Sequence, residues 1–294
     1  MESLINYYYN INALNIQLKD DYYLVQSDNN LFLLCELQEK PEELMKIIDI
    51  LNGTNIKYHL LVLTKDNNLY VTYNEKNYCL FKVRFNPKEK NSLLTFSNVK
   101  VEGLCNWNEA WSKRIDYYET QVEEVITEPS VKYALQYYIG LTEISIYFHN
   151  VLKEKYSNND LRYSLSHKKI NCPVSGIDYY NPANLIIDVE IRDLAEYFKS
   201  AYFNEILTES ELLSLIDNVK FNDAMANYLF LRLLYPSYFF NLYDEYIETK
   251  RIDNKMILYI KKSKDYESLL TKVYSRLKIN NNILIHLWFF KFQH

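Results

Sequence analysis

Leu161–Lys199 reads LRYSLSHKKINCPVSGIDYYNPANLIIDVEIRDLAEYFK, and it is the one irregular stretch in the long second part of the chain. Its groups are the kind that do chemistry: His167 is followed at once by Lys168 and Lys169, Cys172 and Ser175 come next, and Asp178 and Asp188 follow. Leu185–Ile187 is a short apolar run of the sort expected of a buried strand. From Arg192 to about Ile206 the pattern predicts a helix, opened by Arg-Asp-Leu-Ala.

Working outward, the flanks are helical. Asn106–Ile126 and Ser130–Lys155 read as two long amphipathic helices, punctuated by Thr127, Glu128 and a first-turn Pro129. Downstream, helices are predicted at Ser210–Asn218, Asn222–Leu234, Pro236–Lys250 and Asp265–Leu277, with a short apolar Ile283–Phe292 at the end. The beginning of the chain is different. From Ala13 to Arg84, β-branched and aromatic runs alternate with Asp/Asn turns, giving strands at Asp21–Gln26, Leu31–Leu37, Tyr58–Thr64, Leu69–Tyr73 and Tyr78–Val83. One helix interrupts them: Pro41 opens it, Glu42 and Glu43 suit its positive end, Leu44, Ile47, Ile48 and Leu51 form one face, and Gly53 lies past its end. A charged, Asn-containing connector at Pro87–Ser97 separates the two characters, with the boundary near Arg84–Lys90.

Composition excludes several classes of function. The 294 residues contain only 4 glycines, at Gly53, Gly103, Gly140 and Gly176, too scattered for a Gly-rich phosphate loop. A net charge of −5, without a basic stripe, argues against nucleic-acid binding. Cys35, Cys79, Cys105 and Cys172 form no CxxC pair and read as reduced thiols. The five histidines show no HExxH spacing, and Ser175-Gly176 lacks the preceding glycine of a nucleophile elbow. No basic-then-apolar leader opens the sequence, and no apolar run reaches the ~20 residues that span a bilayer. The expectation is a soluble, cytoplasmic protein with no membrane or nucleic-acid partner.

Three marks then stand in order: SLSHKKI at Ser164–Ile170, NPANLIIDVEIRDLAEYFK at Asn181–Lys199, and RLLYPSYFF at Arg232–Phe240. Behind a β-rich start, a connector and two long helices, they make the chain resemble the aminoglycoside and choline phosphotransferase group of kinase-like proteins. Within that group it looks most like the CotS/YutH spore-coat-associated branch, and the resemblance covers nearly the whole chain. It implies an α+β, protein-kinase-like bilobal fold. Residues 1–86 would form a small N-lobe, an antiparallel sheet plus one helix, and residues 87–294 a larger helical C-lobe.

Active members of such a group need a third-strand lysine on the nucleotide phosphates, a catalytic-loop base, a metal-holding Asn and a metal-binding Asp. Under the resemblance the strand is Leu31–Leu37, which holds no lysine, so Glu43 reads as a solvated helix-start acid. The loop is degenerate: after His167 the base position is Lys169, and an ammonium cannot accept the substrate proton. The Asn position falls on Val174, with Asn171 and Asn184 nearby. The metal remnant is either Asp188, favoured because it ends the apolar run, or Asp178, and a loop Asp188 with no ligand is the simpler reading. Asp193 would be structural, tying down the catalytic loop, or just a first-turn acid. His167 and Cys172 as a thiol–imidazole pair, and Lys168-Lys169 as an anion site, both yield to plainer readings as loop residues. Tyr235, Tyr238, Phe239 and Phe240 read as core.

The resemblance therefore implies a degenerate kinase-like protein, a pseudokinase that binds or scaffolds, with a place in endospore coat assembly. It implies a protein partner and no cofactor, and a small-molecule ligand for the interlobe cleft is compatible with it. The alternative is an active phosphotransferase with a rearranged site, acting on a hydroxyl group with ATP and Mg²⁺.

Overall fold

The computed structural model describes residues 1–19, 22–28, 30–84, 96–124 and 128–279, with backbone alone for 122–124. The connector at Pro87–Ser97 falls mostly outside these residues, as do the first residue of the Asp21–Gln26 strand, the last two residues of the Asn106–Ile126 helix and the Ile283–Phe292 stretch. Two units are resolved within them, one comprising residues 1–99, 165–169 and 174–187, the other residues 100–164, 170–173 and 188 onward.

In the first unit, helix α1 (Glu2–Tyr9) precedes strands β1 (Asn15–Lys19), β2 (Tyr22–Ser27) and β3 (Asn30–Glu36), then α2 (Pro41–Asn52), β4 (Leu60–Val62), β5 (Val71–Tyr73) and β6 (Lys76–Lys82). The antiparallel sheet runs β1-β2-β3-β6-β4, with β5 also paired to β6. Strand β3 explains its own unbroken apolar sequence. Phe32 and Leu34 pack with Leu4, Ile5 and Tyr9 of α1, whereas Leu33 and Cys35 pack with Leu44 and Ile48 of α2. Successive side chains point to opposite faces of a strand, so a strand covered on both sides must be apolar throughout. Burying each such Leu or Phe contributes about 1.5–3 kcal/mol. Helix α2 has the predicted features: Pro41 in its first turn, Glu42 and Glu43 beside it, and the Gly53 N–H closing the last turn on the Asp49 and Ile50 carbonyls.

Helix α1 and strand β1 are absent from the sequence reading. Their signals are faint: Leu4, Ile5 and Tyr9 are the buried residues of α1, and Asn10 ends it in the left-handed conformation that Asn tolerates. Strand β1 is mostly exposed.

The second unit contains β7 (Lys100–Val101), α3 (Trp107–Glu124), α4 (Pro129–Lys155), α6 (Arg192–Phe203), α7 (Glu209–Asp217), α8 (Asp223–Leu234), α9 (Ser237–Thr249) and α10 (Asn254–Arg276). Every residue of α8 from Ala224 to Leu234 is buried, as expected of a helix surrounded by others; α4, α6 and α10 pack on it. Helix α10 begins at Asn254, well before the predicted Asp265, because its first turns carry a Lys-rich outer face over buried Met256 and Tyr259. Among the described residues no helix is long and apolar enough to cross a membrane.

The segment read as irregular, Leu161–Asp188, is more ordered than expected. It holds strand β8 (Tyr163–His167), the single turn α5 (Gly176–Tyr179), a 3₁₀ turn at Pro182–Asn184 and strand β9 (Leu185–Val189). Strands β7, β8 and β9 form a small sheet in that order. Lys100 lies opposite Ser164, and the flanks of β8 and β9 are closed by Lys168 N–H to Asn184 O at 2.8 Å and Glu190 N–H to Arg162 O at 2.9 Å.

Candidate functional site

The strand on which a phosphate-binding lysine would stand is β3, the third of the sheet. Its α2-facing side carries Leu33 and Cys35, with Cys79 and Phe81 of β6 beside them. Ile177 of α5 and Ala183 of the 3₁₀ turn pack onto this same cluster. Asn181 adds a polar contact, its Nδ2 lying 3.4 Å from Cys35 Sγ while its Oδ1 accepts from Ala183 N–H. The face is thus covered by the unit's own side chains. Glu43 is exposed on α2. An open groove runs along the solvent side of α2, past Glu42, Met45, Lys46 and Asp49, and not under β3.

His59, just before β4, fastens the sheet to this segment. Its Nε2–H donates to Ile177 O at 3.0 Å, its Nδ1 accepts from Arg84 N–H at 3.4 Å, and its own N–H donates to Tyr180 O. Burial lowers its pKa to about 4, against a smaller opposing effect of the Ile177 hydrogen bond. The ring is therefore neutral, as both bonds require.

His167 ends β8 fully buried, with Nε2–H donating to Tyr179 O at 3.0 Å. Its ring stacks on Tyr179 at 4.6 Å and meets Phe96 edge-on at 5.3 Å. The Nε2 proton is fixed by a carbonyl, so this nitrogen is a donor to structure and not a base. Lys168 Nζ lies 3.4 Å from Glu39 Oε1. Lys169 is exposed, and Asn184 holds both of its backbone groups. Asp178 is half-buried on α5, and its carbonyl accepts from Asn181 N–H.

In the second unit Cys172 N–H donates to Ser200 Oγ at 2.9 Å, and burial raises the Cys172 thiol, with a hydrogen bond to Tyr197 acting the other way. Cys172 bonds to Ser200 and Tyr197, and His167 to Tyr179.

Asp188 is 6% exposed, and both of its carboxylate oxygens accept hydrogen bonds. Trp107 Nε1–H lies 2.8 and 3.0 Å from the two oxygens, Val189 N–H donates to Oδ1 at 2.7 Å, and Arg192 Nη1 reaches Oδ2 at 2.6 Å. Asp193 is buried one residue further on, in the first turn of α6. One turn beyond it lies a network that the sequence reading missed. Lys199 Nζ, 1% exposed, sits among Glu196 Oε1 (2.9 Å), Arg232 O (3.0 Å), Tyr235 O (3.0 Å) and Ser237 Oγ (2.7 Å). Arg232 Nε and the Ser237 hydroxyl both donate to Glu196, at 2.7 and 2.6 Å. Burial pulls Lys199 down to about 7 while Glu196 pulls it back up. Glu196 itself is held well below the carboxylate range because Lys199, Arg232 and Arg192 outweigh its burial. The Arg232 guanidinium lies over Trp107 at 4.9 Å and Tyr235 at 5.5 Å. The available signal was a charged residue in an otherwise apolar context at Lys199 and at Arg232, within two of the three marks.

Cys105 and His149 also meet, 3.5 Å apart and buried. Burial drives the thiol up to about 12 and the imidazole down to about 4, so both are neutral and the thiol is not a nucleophile. No cluster of three or more His, Cys, Asp or Glu side chains suited to a metal occurs among the described residues. Tyr235 stacks on Trp111 at 4.3 Å, Tyr238 on Phe203 at 3.8 Å and Phe239 on Tyr138 at 4.0 Å, the core role predicted for them.

A β-sheet lobe carrying a helix after its third strand, followed by a helical majority, is the kinase-like fold of small-molecule phosphotransferases. A spectinomycin phosphotransferase in complex with ADP and spectinomycin matches with a TM-score of 0.59 and 12% identity, over 95% of this chain and 98% of that one. An aminoglycoside phosphotransferase from Alicyclobacillus acidocaldarius gives 0.57 and 9%, over 92% and 94%. The choline kinase LicA from Streptococcus pneumoniae gives 0.50 and 13%, over 88% and 94%. At such identities the likeness shows the fold alone. Residues 2–273 match the family described as "Spore coat putative kinase YutH", and the chain belongs to that family. A comparison with curated proteins finds no match. The expected fold class and family are thereby established.

Proposed function

We propose that this protein is a catalytically silent member of its family that works by binding, as a scaffold or partner in endospore coat assembly, and does not transfer phosphate. One observation carries the reading: the face of β3 that would present a lysine to a nucleotide presents Leu33 and Cys35, packed under Ile177, Ala183 and Asn181. A lysine on this strand is what pairs with the α/β-phosphates in active kinases. Three further residues support it. Lys169 stands at the base position, the Asn184 side chain bonds the Lys169 backbone, and both Asp188 oxygens accept hydrogen bonds from the protein. The family description points to the coat as the setting, and a protein partner is the ligand class proposed.

Isothermal titration of the full chain with ATP and Mg²⁺, paired with an ADP-release assay over hydroxylated acceptors, tests the reading. No heat of binding and no ADP release are expected. Micromolar binding with turnover, lost in Asp188→Ala or Asp178→Ala, would instead establish a rearranged phosphotransferase site.

A further inference from the structure

Of the two candidates for a metal remnant, Asp188 and Asp178, Asp188 ends the apolar strand β9, and the residues around it do not fit a divalent cation. A carboxylate offers about four lone-pair sites. Three N–H donors already engage both oxygens: the single indole N–H of Trp107 is shared between them, at 2.8 and 3.0 Å, Val189 N–H lies 2.7 Å from Oδ1 and Arg192 Nη1 lies 2.6 Å from Oδ2. Mg²⁺ demands near-octahedral oxygen ligands at about 2.0–2.1 Å. A cation approaching Asp188 would meet the hydrogens of an indole and a guanidinium.

We infer that the Arg192 guanidinium takes the place of the metal, giving this site a built-in cation that neutralises Asp188 and makes its structure independent of divalent ions. The charge balance agrees. Asp188, Asp193 and Glu196 supply three carboxylates and Arg192, Lys199 and Arg232 three basic groups; ion pairs join Asp188 to Arg192 and Glu196 to Lys199 and Arg232, and all but Arg192 and Glu196 are buried. A dication would add two positive charges beside Arg192 and Arg232, in surroundings that screen them poorly. The guanidinium suits the task because its planar donors are fixed by covalent geometry and it never deprotonates.

The inference rests on the proposed function only in treating the fold's phosphate chemistry as lost, and its test uses metal without nucleotide. Free Mn²⁺ is followed by electron paramagnetic resonance during titration of the full chain, and melting temperature is measured with and without Mg²⁺. The wild-type protein is expected to leave the Mn²⁺ signal unchanged and to melt at the same temperature with Mg²⁺ or EDTA. Asp188→Asn, which strands a buried guanidinium, should lower the melting temperature by about 10 °C, equally with and without Mg²⁺. Arg192→Ala should acquire Mn²⁺ binding and a Mg²⁺-dependent rise in melting temperature, whereas Arg192→Lys, which keeps the charge, should not. Micromolar Mn²⁺ binding by the wild type that Asp188→Asn abolishes would overturn the inference. So would an Asp188→Asn variant as stable as wild type in EDTA. If ATP binds without metal, the proposed function falls and this inference stands.

Discussion

Asn184 grips Lys169 by both backbone groups: its Oδ1 accepts from the Lys169 N–H at 3.2 Å, and its Nδ2 donates to the Lys169 carbonyl at 3.0 Å. The same Nδ2 lies 3.4 Å from the Asp178 carbonyl. In this loop the amide side chain is a clasp that joins the end of β8 to the start of β9.

The first prediction follows from that clasp. Asn184→Ala removes a donor and an acceptor from a partly exposed site, so a loss of about 1–2 kcal/mol in urea unfolding is expected. Asn184→Asp should cost at least as much, because a carboxylate cannot donate and would face the Lys169 carbonyl. Proteolysis within residues 165–184 should quicken in both variants. Unchanged stability in both would show that the clasp carries no load.

Acid should weaken the protein above the range where carboxylates titrate. His59 and His149 are fully buried, and burial lowers each from 6.5 to about 4. The folded pKa is below the unfolded one, so between these values the unfolded chain binds more protons. The histidines' contribution is therefore complete above pH 6.5 and is lost as pH falls toward 4, at most about 3 kcal/mol for each ring. Unfolding free energy measured from pH 7 to 4 should fall along this window, and the slope should shrink in His149→Phe. A flat profile would contradict the buried neutral state of both rings.

Much of the first unit was legible because its signals are local. The unbroken apolar run of β3 and the Pro41, Glu42, Glu43 and Gly53 punctuation of α2 depend on neighbours within a few residues, and both elements are where the pattern puts them. Helix α1 was not legible, since MESLINYYYN carries no N-terminal cap and its tyrosines suit strand and helix alike. The Leu161–Asp188 segment looked irregular because its strands are 5 residues long and pair across about twenty residues of intervening chain. The candidate site divides the same way. The missing β3 lysine and the Lys169 substitution can be read from the sequence under the resemblance. The Trp107 partner of Asp188 cannot, because it is 81 residues away. Arg232, 36 residues from Glu196, is equally invisible to any spacing rule.

The buried network of α6, α8 and α9 gives a third prediction. Lys199→Met keeps the stem and removes the ammonium from among Glu196 Oε1, two carbonyls and Ser237 Oγ. Leaving these acceptors with fewer donors in a dry site should cost about 3–5 kcal/mol. Glu196→Gln alone should also destabilise, since it leaves Lys199 and Arg232 facing each other. The double variant should lose less than the sum of the singles, a coupling of about 0.5–3 kcal/mol expected of residues in one network. Additive losses would mean that the two charges act independently.

The last prediction concerns whether the fold lacks only a lysine. Cys35→Lys restores the residue type of active kinases on the α2-facing side of β3, where Cys35 is 3% exposed and touches Asn181. If the nucleotide site were otherwise intact, the new ammonium would find phosphates, and ATP affinity would rise by orders of magnitude. The packing argues for the opposite outcome. Leu33, Phe81, Ile177 and Ala183 leave the new side chain an apolar surround, and Glu43, the acid that could have paired with it, is exposed on the helix. A lysine forced into such a place either deprotonates or pushes the segment carrying Ile177 away, at a cost of about 3 kcal/mol or more. Cys35→Ser, which changes little in volume, should cost about 1 kcal/mol and serves as the control. The expected result is a lower urea midpoint for Cys35→Lys than for Cys35→Ser, with ATP–Mg²⁺ titrations silent in both. Recovery of micromolar ATP binding by Cys35→Lys would show that the cover formed by Ile177 and Ala183 yields to nucleotide, and the binding-only reading would have to be abandoned.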